Sequence, residues 1–492
     1  MIMIKHITRL FSPLLCIAVI LSIFTYMWNP LGYPGFVYDD GTYIGRAMHV
    51  LVTRSPQEGT LHDHPYFGQI FLAGMLWLTG FPNSVAPSAD SDIGTYVKML
   101  WLVPKVLIGF FAVIDTLLIY KIAERRYNNK MVAFIASILF AVMPMWWSLR
   151  DLFLESLLLP LLLSSILFAT YTKYPKDCRE GKKKEDMSLV MISGVLMGLA
   201  IFTKIPVFAF IPLVAYVIFT NSNRSFKTLG LWFIPVVIIP LIWPLYAVID
   251  NQFDWWWNGI YWQTHRQNEG LRNVVIENFS HTPIFSWLGF AGLIFAIIKR
   301  DYFVILWAIP FLIFLYFIGF VRDFHLIPLL PALCVSTSRL IVGLSSYIPY
   351  QKVRQTLPFS IISAITIFGL INIAPQLATN VNDNTLALSA FVTRYLEDNR
   401  NDNITVISNH VYSWIPKYVF GLRNNDYTIP EDVMWIPPKN EKVMLVVDDS
   451  IRLIKSQNDT MGESLRRVYN LYDTNETMKI DVGPHRVILP KG

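Results

Sequence analysis

Long apolar runs separated by short polar turns set the pattern of the chain. With about 20 apolar residues needed per bilayer crossing, the pattern predicts about eleven spans. They fall at approximately 10–28, 99–120, 131–148, 152–171, 188–203, 205–220, 229–249, 284–298, 302–320, 325–344 and 357–375. Two stretches break the rhythm. Residues 29–97 form a long loop after the first span, and beyond Pro375 the apolar runs shorten while Asn, Asp and charged residues rise. In that last stretch LALSAFVTRYLED has helical spacing. ITVISN (404–409), KVMLVVDD (442–449), RRVYNLYD (466–473) and HRVILP (485–490) read as strands. The expected fold is a polytopic α-helical membrane domain over residues 1–378, followed by a small α/β domain over 379–492.

Composition agrees with that class. Only 15% of residues are charged and 54% are hydrophobic, against about 25% charged in soluble domains. The net charge of +6 does not point to nucleic acid, because the basic residues gather in short loops between apolar runs. Lys5 and Arg9, Lys121 to Lys130, Lys173 to Lys184, Arg224 and Lys227, Lys299 and Arg300, and Lys352 and Arg354 all fall on one side of the predicted bundle. That side is expected to be cytoplasmic. The N-terminus then lies inside, on an uncleaved first span. The 29–97 loop, the 250–283 loop and the C-terminal domain lie outside the cytoplasm. Four of five glycosylation sequons (Asn278, Asn403, Asn458 and Asn475, but not Asn223) fall on that outer face. Three cysteines, two of them within apolar runs, exclude a disulfide framework.

The outer loop FVYDDGTYIGRAMHVLVTRSPQEGTLHDHP holds the densest candidate chemistry. A helix over Thr42 to Val52 would take Asp40 as its N-cap, which accounts for one aspartate and not for two. Adjacent carboxylates repel near a low-dielectric surface, and a base that deprotonates a hydroxyl needs such a carboxylate. The reading assigns Asp39 as base and Asp40 as capping or metal-side neighbour. His62, Asp63 and His64 suit a divalent metal or simply cap and hydrogen-bond, and Pro65 opens an interfacial helix. Arg150, Asp151 and Glu155 sit at a span boundary, where they line a cavity or anchor helices. Gly194 and Gly198 have close-packing spacing. Lys204, alone between two apolar runs, either snorkels or meets a lipid phosphate. The aromatic-rich loop 253–273 carries His265 and Arg266, and Arg322 and His325 come to the outer mouth of the tenth span.

These parts resemble the GT-C superfamily of membrane glycosyltransferases, within it the protein O-mannosyltransferases and aminoarabinose–lipid A transferases. The resemblance rests on Asp39-Asp40-Gly41-Thr42-Tyr43, on His64-Pro65, on Gly198 to Lys204, and on His325 to Pro331. It implies Asp39 and Asp40 as the catalytic pair. Donor lipid phosphate falls to His64, Lys204, Arg266 and Arg322, and the substrate cavity to Tyr43, Arg150, Glu155 and His325. Asp63 and His265 would hold a divalent metal, the one cofactor candidate. The sequence departs from the family in Asp-Asp for Asp-Glu, in Tyr66 for a second proline, and in Thr42 where an arginine is usual. The implied activity is inverting transfer of a sugar (hexosyl or pentosyl) from a polyprenyl-phosphate donor to a protein or glycolipid acceptor hydroxyl. The alternative is a polytopic transporter or lipid flippase, in which buried Arg150, Glu155 and Lys204 line a path.

Overall fold

The computed structural model describes residues 12–59, 62–86, 92–143, 149–172, 187–266, 270–402, 404–422, 426–428, 442–456, 463, 466–468, 470–471 and 477–490. The chain begins with α1 (Pro13–Met27), capped by Ser12, whose hydroxyl accepts from the Leu15 N–H at 3.2 Å. The loop after α1 folds as α2 (Tyr38–Thr53) and α3 (Phe67–Leu78). The bundle continues with α4 (Ile93–Tyr127), α5 (Lys130–Val142), α6 (Leu154–Tyr171), α7 (Met187–Thr203), α8 (Ile211–Asn221), α9 (Phe226–Ile238) and α10 (Ile242–Ile249). The second polar loop forms α11 (Phe253–His265) and α12 (Leu271–His281). Helices α13 (Pro283–Ile298), α14 (Tyr302–Phe317), α15 (Leu330–Ser345) and α16 (Gln351–Leu377) complete the membrane part.

Every stretch predicted as a span is helical in its described part. Among the described residues, five helical segments are long and apolar enough to cross a bilayer: Ile93–Tyr127, Leu154–Tyr171, Phe226–Ile249, Asp323–Ser345 and Gln351–Leu377. Seven shorter apolar helices accompany them. The protein is an integral membrane protein. The run expected at 229–249 is two helices, broken beside Pro240, which has no N–H to donate into the ladder. Small residues bring α7 against its neighbours. Ser165 and Ser193 exchange hydroxyl-to-carbonyl bonds of 2.8 Å each way. A Cβ added at Gly194 or Gly198 would lie 2.5 Å from the carbonyl of Trp232 or Pro235 on α9, so the spacing read from the sequence does serve close helix approach.

The C-terminal part consists of α17 (Asp383–Asp398), β1 (Ile404–Ser408), α18 (His410–Trp414), β2 (Asp426–Thr428), β3 (Lys442–Val447), α19 (Asp449–Ser456), β4 (Thr477–Val482) and β5 (His485–Pro490). Its sheet runs β2-β1-β3-β5-β4, with β1 parallel to β2 and β3, and β5 antiparallel to β3 and β4. The strand expected at 466–473 is not one: the described residues 466–468 and 470–471 are helical. The edge position there is taken by β4, a strand with no fully buried residue, which carries little hydrophobic signal.

The C-terminal part is seated on the loop after α1. The Asn382 amide donates to the carbonyls of Leu31 and Pro34, and its oxygen accepts the Phe36 N–H at 2.7 Å. Trp414 of α18 meets Trp101 of α4 edge-on at 5.4 Å, and Phe36 stacks on the same Trp101 at 4.2 Å. One apolar core thus joins α2, α3, α4 and the sheet domain.

Candidate active site

Helix α2 starts four residues earlier than expected, so both aspartates lie in its first turn. Successive helical residues point about 100° apart, and this separates the pair. Asp40 shares a face with Ile44 and Ala47 and is fully buried. Its Oδ1 lies 2.9 Å from Lys105 Nζ and accepts the Leu152 N–H at 2.6 Å. Its Oδ2 accepts the Val37 N–H at 3.0 Å. Lys105 also reaches Asp151 at 2.9 Å and the Arg150 carbonyl at 3.3 Å. Asp40 therefore ties the start of α2 to α4 and to the turn before α6. The capping reading of Asp40 holds in altered form: it caps from inside the helix, at its third position, rather than from the residue before it.

Substituting Lys105 by Met should leave two buried carboxylates without counter-charge. Breaking one side of such an arrangement costs about 3–5 kcal/mol. We expect a markedly lower unfolding temperature in detergent, with partial recovery on adding Asp40→Asn.

Asp39 faces the other way, with Tyr43 and Arg46 one and two turns along. Its carboxylate is half-buried and makes no hydrogen bond among the described residues. Enclosure by protein pushes its pKa up to about 6, with Lys204 and Arg46 opposing the rise and Glu155 and Asp40 adding to it. Arg46 holds Asp63 through two contacts, 2.9 and 3.1 Å. Burial alone would raise the Asp63 pKa, but the guanidinium and its hydrogen bonds hold it down to about 2. Arg46 also lies 5.9 Å from the buried Tyr43 ring.

The His-Asp-His run divides its work. His62 is buried, with Nε2 on Gln252 Oε1 at 2.7 Å and Nδ1 on the Tyr66 hydroxyl at 3.1 Å, a pattern that the Nε2–H tautomer satisfies. A Cβ on Gly259 would sit 2.2 Å from the His62 carbonyl, so α11 packs directly on this loop. His64 faces the cluster. Burial lowers its pKa to about 3, with Lys204, Arg46 and Arg266 pushing the same way against Asp63. At neutral pH the ring is uncharged and offers one N–H donor.

Lys204 stands between α7 and a 3₁₀ turn, Ile205–Phe210, buried and paired with Glu155. Its ammonium lies 4.9 Å from the Phe324 ring. The Arg266 guanidinium sits over Trp262 and Phe320, 4.4 and 3.9 Å from their centroids. His325, in the 3₁₀ turn Asp323–Leu329, is buried and feels the charges of Lys204, His64 and Arg266. Its Nδ1 accepts the Arg322 N–H at 3.0 Å, leaving Nε2 as the donor.

The structure thus gathers Asp39, Tyr43, Glu155, His64, Lys204, Arg266 and His325 into one charge-coupled cluster. Five candidate residues have other duties, Asp40 and Asp63 being held by Lys105 and Arg46. The Arg150 side chain is buried on backbone, donating to the carbonyls of Thr25, Trp28 and Asn29 at 2.7–3.1 Å, and so fixes the end of α1. Arg322 presents an exposed side chain while its backbone holds His325. His265 is exposed and stacks on Tyr261 at 3.9 Å. Asp63 being engaged by Arg46, the Asp63–His265 pair is not presented as a ligand set. Among the described residues no three His, Cys, Asp or Glu gather as a metal site.

The sequence reading missed Lys105, Arg46 and a cluster between α2 and α18. In that cluster Glu58 pairs with Lys417 at 2.8 Å and accepts the Tyr418 hydroxyl, and His410 meets the Tyr38 ring at 4.7 Å. Burial lowers the His410 pKa to about 4. A lone lysine inside a span is a signal in itself and could have marked Lys105.

The comparisons with known proteins agree with the resemblance stated from the sequence. The family model for dolichyl-phosphate-mannose-protein mannosyltransferase matches residues 101–247, a stretch that includes Lys105, Glu155 and Lys204. Over the whole chain the structure is similar to ArnT from Cupriavidus metallidurans bound to undecaprenyl phosphate, at 13% identity, 97% coverage of each chain and a TM-score of 0.61. It is also similar to the oligosaccharyltransferase AglB from Archaeoglobus fulgidus in complex with an inhibitory peptide and a dolichol-phosphate. There the identity is 14%, the coverage 93% of this chain and 68% of that one, and the TM-score 0.54. No curated protein matches the sequence.

Proposed function

We propose that the protein is an inverting glycosyltransferase that moves a sugar from a polyprenyl-phosphate donor to an acceptor hydroxyl on the extracytoplasmic face. The observation that carries this reading is the unbonded Asp39 carboxylate, which feels the charge of Lys204, while Lys204 and Arg266 both act on His64. In the proposed reaction Asp39 takes the proton of the acceptor hydroxyl. The oxygen attacks the anomeric carbon on the face opposite the phosphate, and the bond between that carbon and the phosphate oxygen breaks with inversion. The leaving polyprenyl phosphate carries the negative charge away. Lys204 and Arg266 meet that charge, and the His64 and His325 N–H groups donate to the phosphate oxygens. Glu155 keeps Lys204 in place and balances its charge until the donor arrives. Polyprenyl phosphates bound by ArnT and AglB support a lipid-linked donor, and the basic loops on the opposite side support the orientation.

The test is transfer in membranes supplied with a labelled polyprenyl-phosphate sugar. A labelled acceptor with inverted anomeric configuration is expected, and release of free sugar alone would overturn the reading. Since the base must be deprotonated and its pKa lies at about 6, kcat/KM should fall about tenfold per pH unit below that value. His64 titrates far lower and should add no limb between pH 5 and 8. A flat profile from pH 5 to 7 would remove Asp39 from the role of base.

A further inference from the structure

A second polar recess lies at the other end of the bundle. Tyr127 is 22 residues along α4 from Lys105, about 33 Å at 1.5 Å per residue, which is one hydrocarbon thickness. Around it, at the last turn of α13, the end of α15 and the start of α5, is a cavity of about 280 Å³. Tyr127, Asn129, Lys299, Arg339, Ser346 and Tyr347 supply its polar lining.

The charges there leave an excess of cation. Arg339 is neutralised by Asp301, which also accepts the Tyr127 hydroxyl at 2.9 Å. Lys299 has no carboxylate among the described residues. It donates to the Tyr347 hydroxyl at 2.9 Å and lies 5.8 and 5.6 Å from the rings of Phe295 and Tyr347. The N-terminus of α5 also borders the cavity: Asn129, its cap, is part of the lining and accepts the Met131 and Val132 N–H groups at 2.9 and 3.2 Å. The rim is apolar and open: Ile298, Tyr347 and Leu344 are 70%, 68% and 55% exposed, although they flank a charged cavity. A cationic recess edged by exposed aliphatic side chains, one bilayer thickness from Asp39, has the make-up of a headgroup site with room for acyl chains beside it.

We propose that this recess binds the phosphodiester of an anionic phospholipid in the leaflet opposite the reaction site, with Lys299 as the cation that selects it. The apolar rim favours a lipid over a free phosphate, and the inference does not depend on the chemistry assigned to Asp39.

The experiment uses the full chain in neutral detergent, with short-chain phosphatidylglycerol, phosphatidylcholine and inorganic phosphate as probes. Retained lipid is measured by mass spectrometry and thermal protection alongside it. Phosphatidylglycerol should be retained in preference to phosphatidylcholine, and its retention should fall with rising salt. Lys299→Glu should weaken retention by at least roughly fivefold, the worth of one basic residue near an anionic surface, and Lys299→Arg should keep it. Equal retention of both lipids, salt-insensitive retention by the unaltered chain, or no effect of Lys299→Glu would overturn the proposal. Phosphate protecting as well as phosphatidylglycerol, through Lys299, would reassign the site to a free anion and overturn the lipid.

Discussion

Asp39→Asn is expected to lower sugar transfer by about 10³-fold while leaving the protein folded and able to bind its donor. General base catalysis contributes roughly 10²–10⁴-fold, and an amide of the same shape cannot take the proton. Folding should survive because the Asp39 carboxylate makes no hydrogen bond among the described residues. Its raised pKa means that the fold disfavours the charged form. Stability at neutral pH should therefore hold steady or rise slightly when the charge goes. The measurement pairs initial transfer rates with thermal unfolding and with binding of the polyprenyl-phosphate sugar. Loss of rate with binding retained supports the base. A variant keeping more than about a tenth of the normal rate would remove the proton-transfer role, since even the low end of the general-base range exceeds that loss.

Helices that must cross a bilayer satisfy their backbone internally, so hydropathy alone places them. That is why the apolar helices were legible from local composition, whatever number of them crosses. The site was legible where one residue carries its meaning alone. Lys204 between two apolar runs is such a case, and it lies in the cluster with His64 and Asp39. Legibility failed where roles depend on long-range pairing. Asp151 and Glu155 lie one helical turn apart, which reads as a shared cavity. In the structure Asp151 joins Lys105 and Glu155 joins Lys204, 46 and 49 residues away in sequence. Lys105, alone inside an apolar run, carried a signal of its own, but nothing near it in sequence shows its partners Asp40 and Asp151. Placing the helix start at Thr42 left Asp39 outside α2. It therefore hid the Asp39, Tyr43, Arg46 face, and with it Arg46, one turn beyond Thr42, as the partner of Asp63.

Gly41, between the carboxylate pair and Tyr43, read in sequence only as part of a motif; in the structure it is where the sheet domain meets the turn that carries Asp39. A Cβ there would lie 2.4 Å from the His410 carbonyl carbon and from the Val411 nitrogen, and 2.6 Å from the His410 oxygen. All three are backbone atoms, so no side-chain rotation relieves the clash. Either α18 lifts away or the first turn of α2 shifts, and that turn carries Asp39. Gly41→Ala is expected to cost about 1–3 kcal/mol or more through overpacking. It should also expose the C-terminal domain to protease and depress transfer well beyond what the stability loss explains. Gly74→Ala is the control, since nothing lies within 4 Å of a Cβ at that helical glycine. It should leave rate and proteolysis unchanged. Wild-type transfer and protease resistance in Gly41→Ala would show that α18 does not bear on the carboxylate turn. The sheet domain would then be a neighbour of the site and not one of its supports.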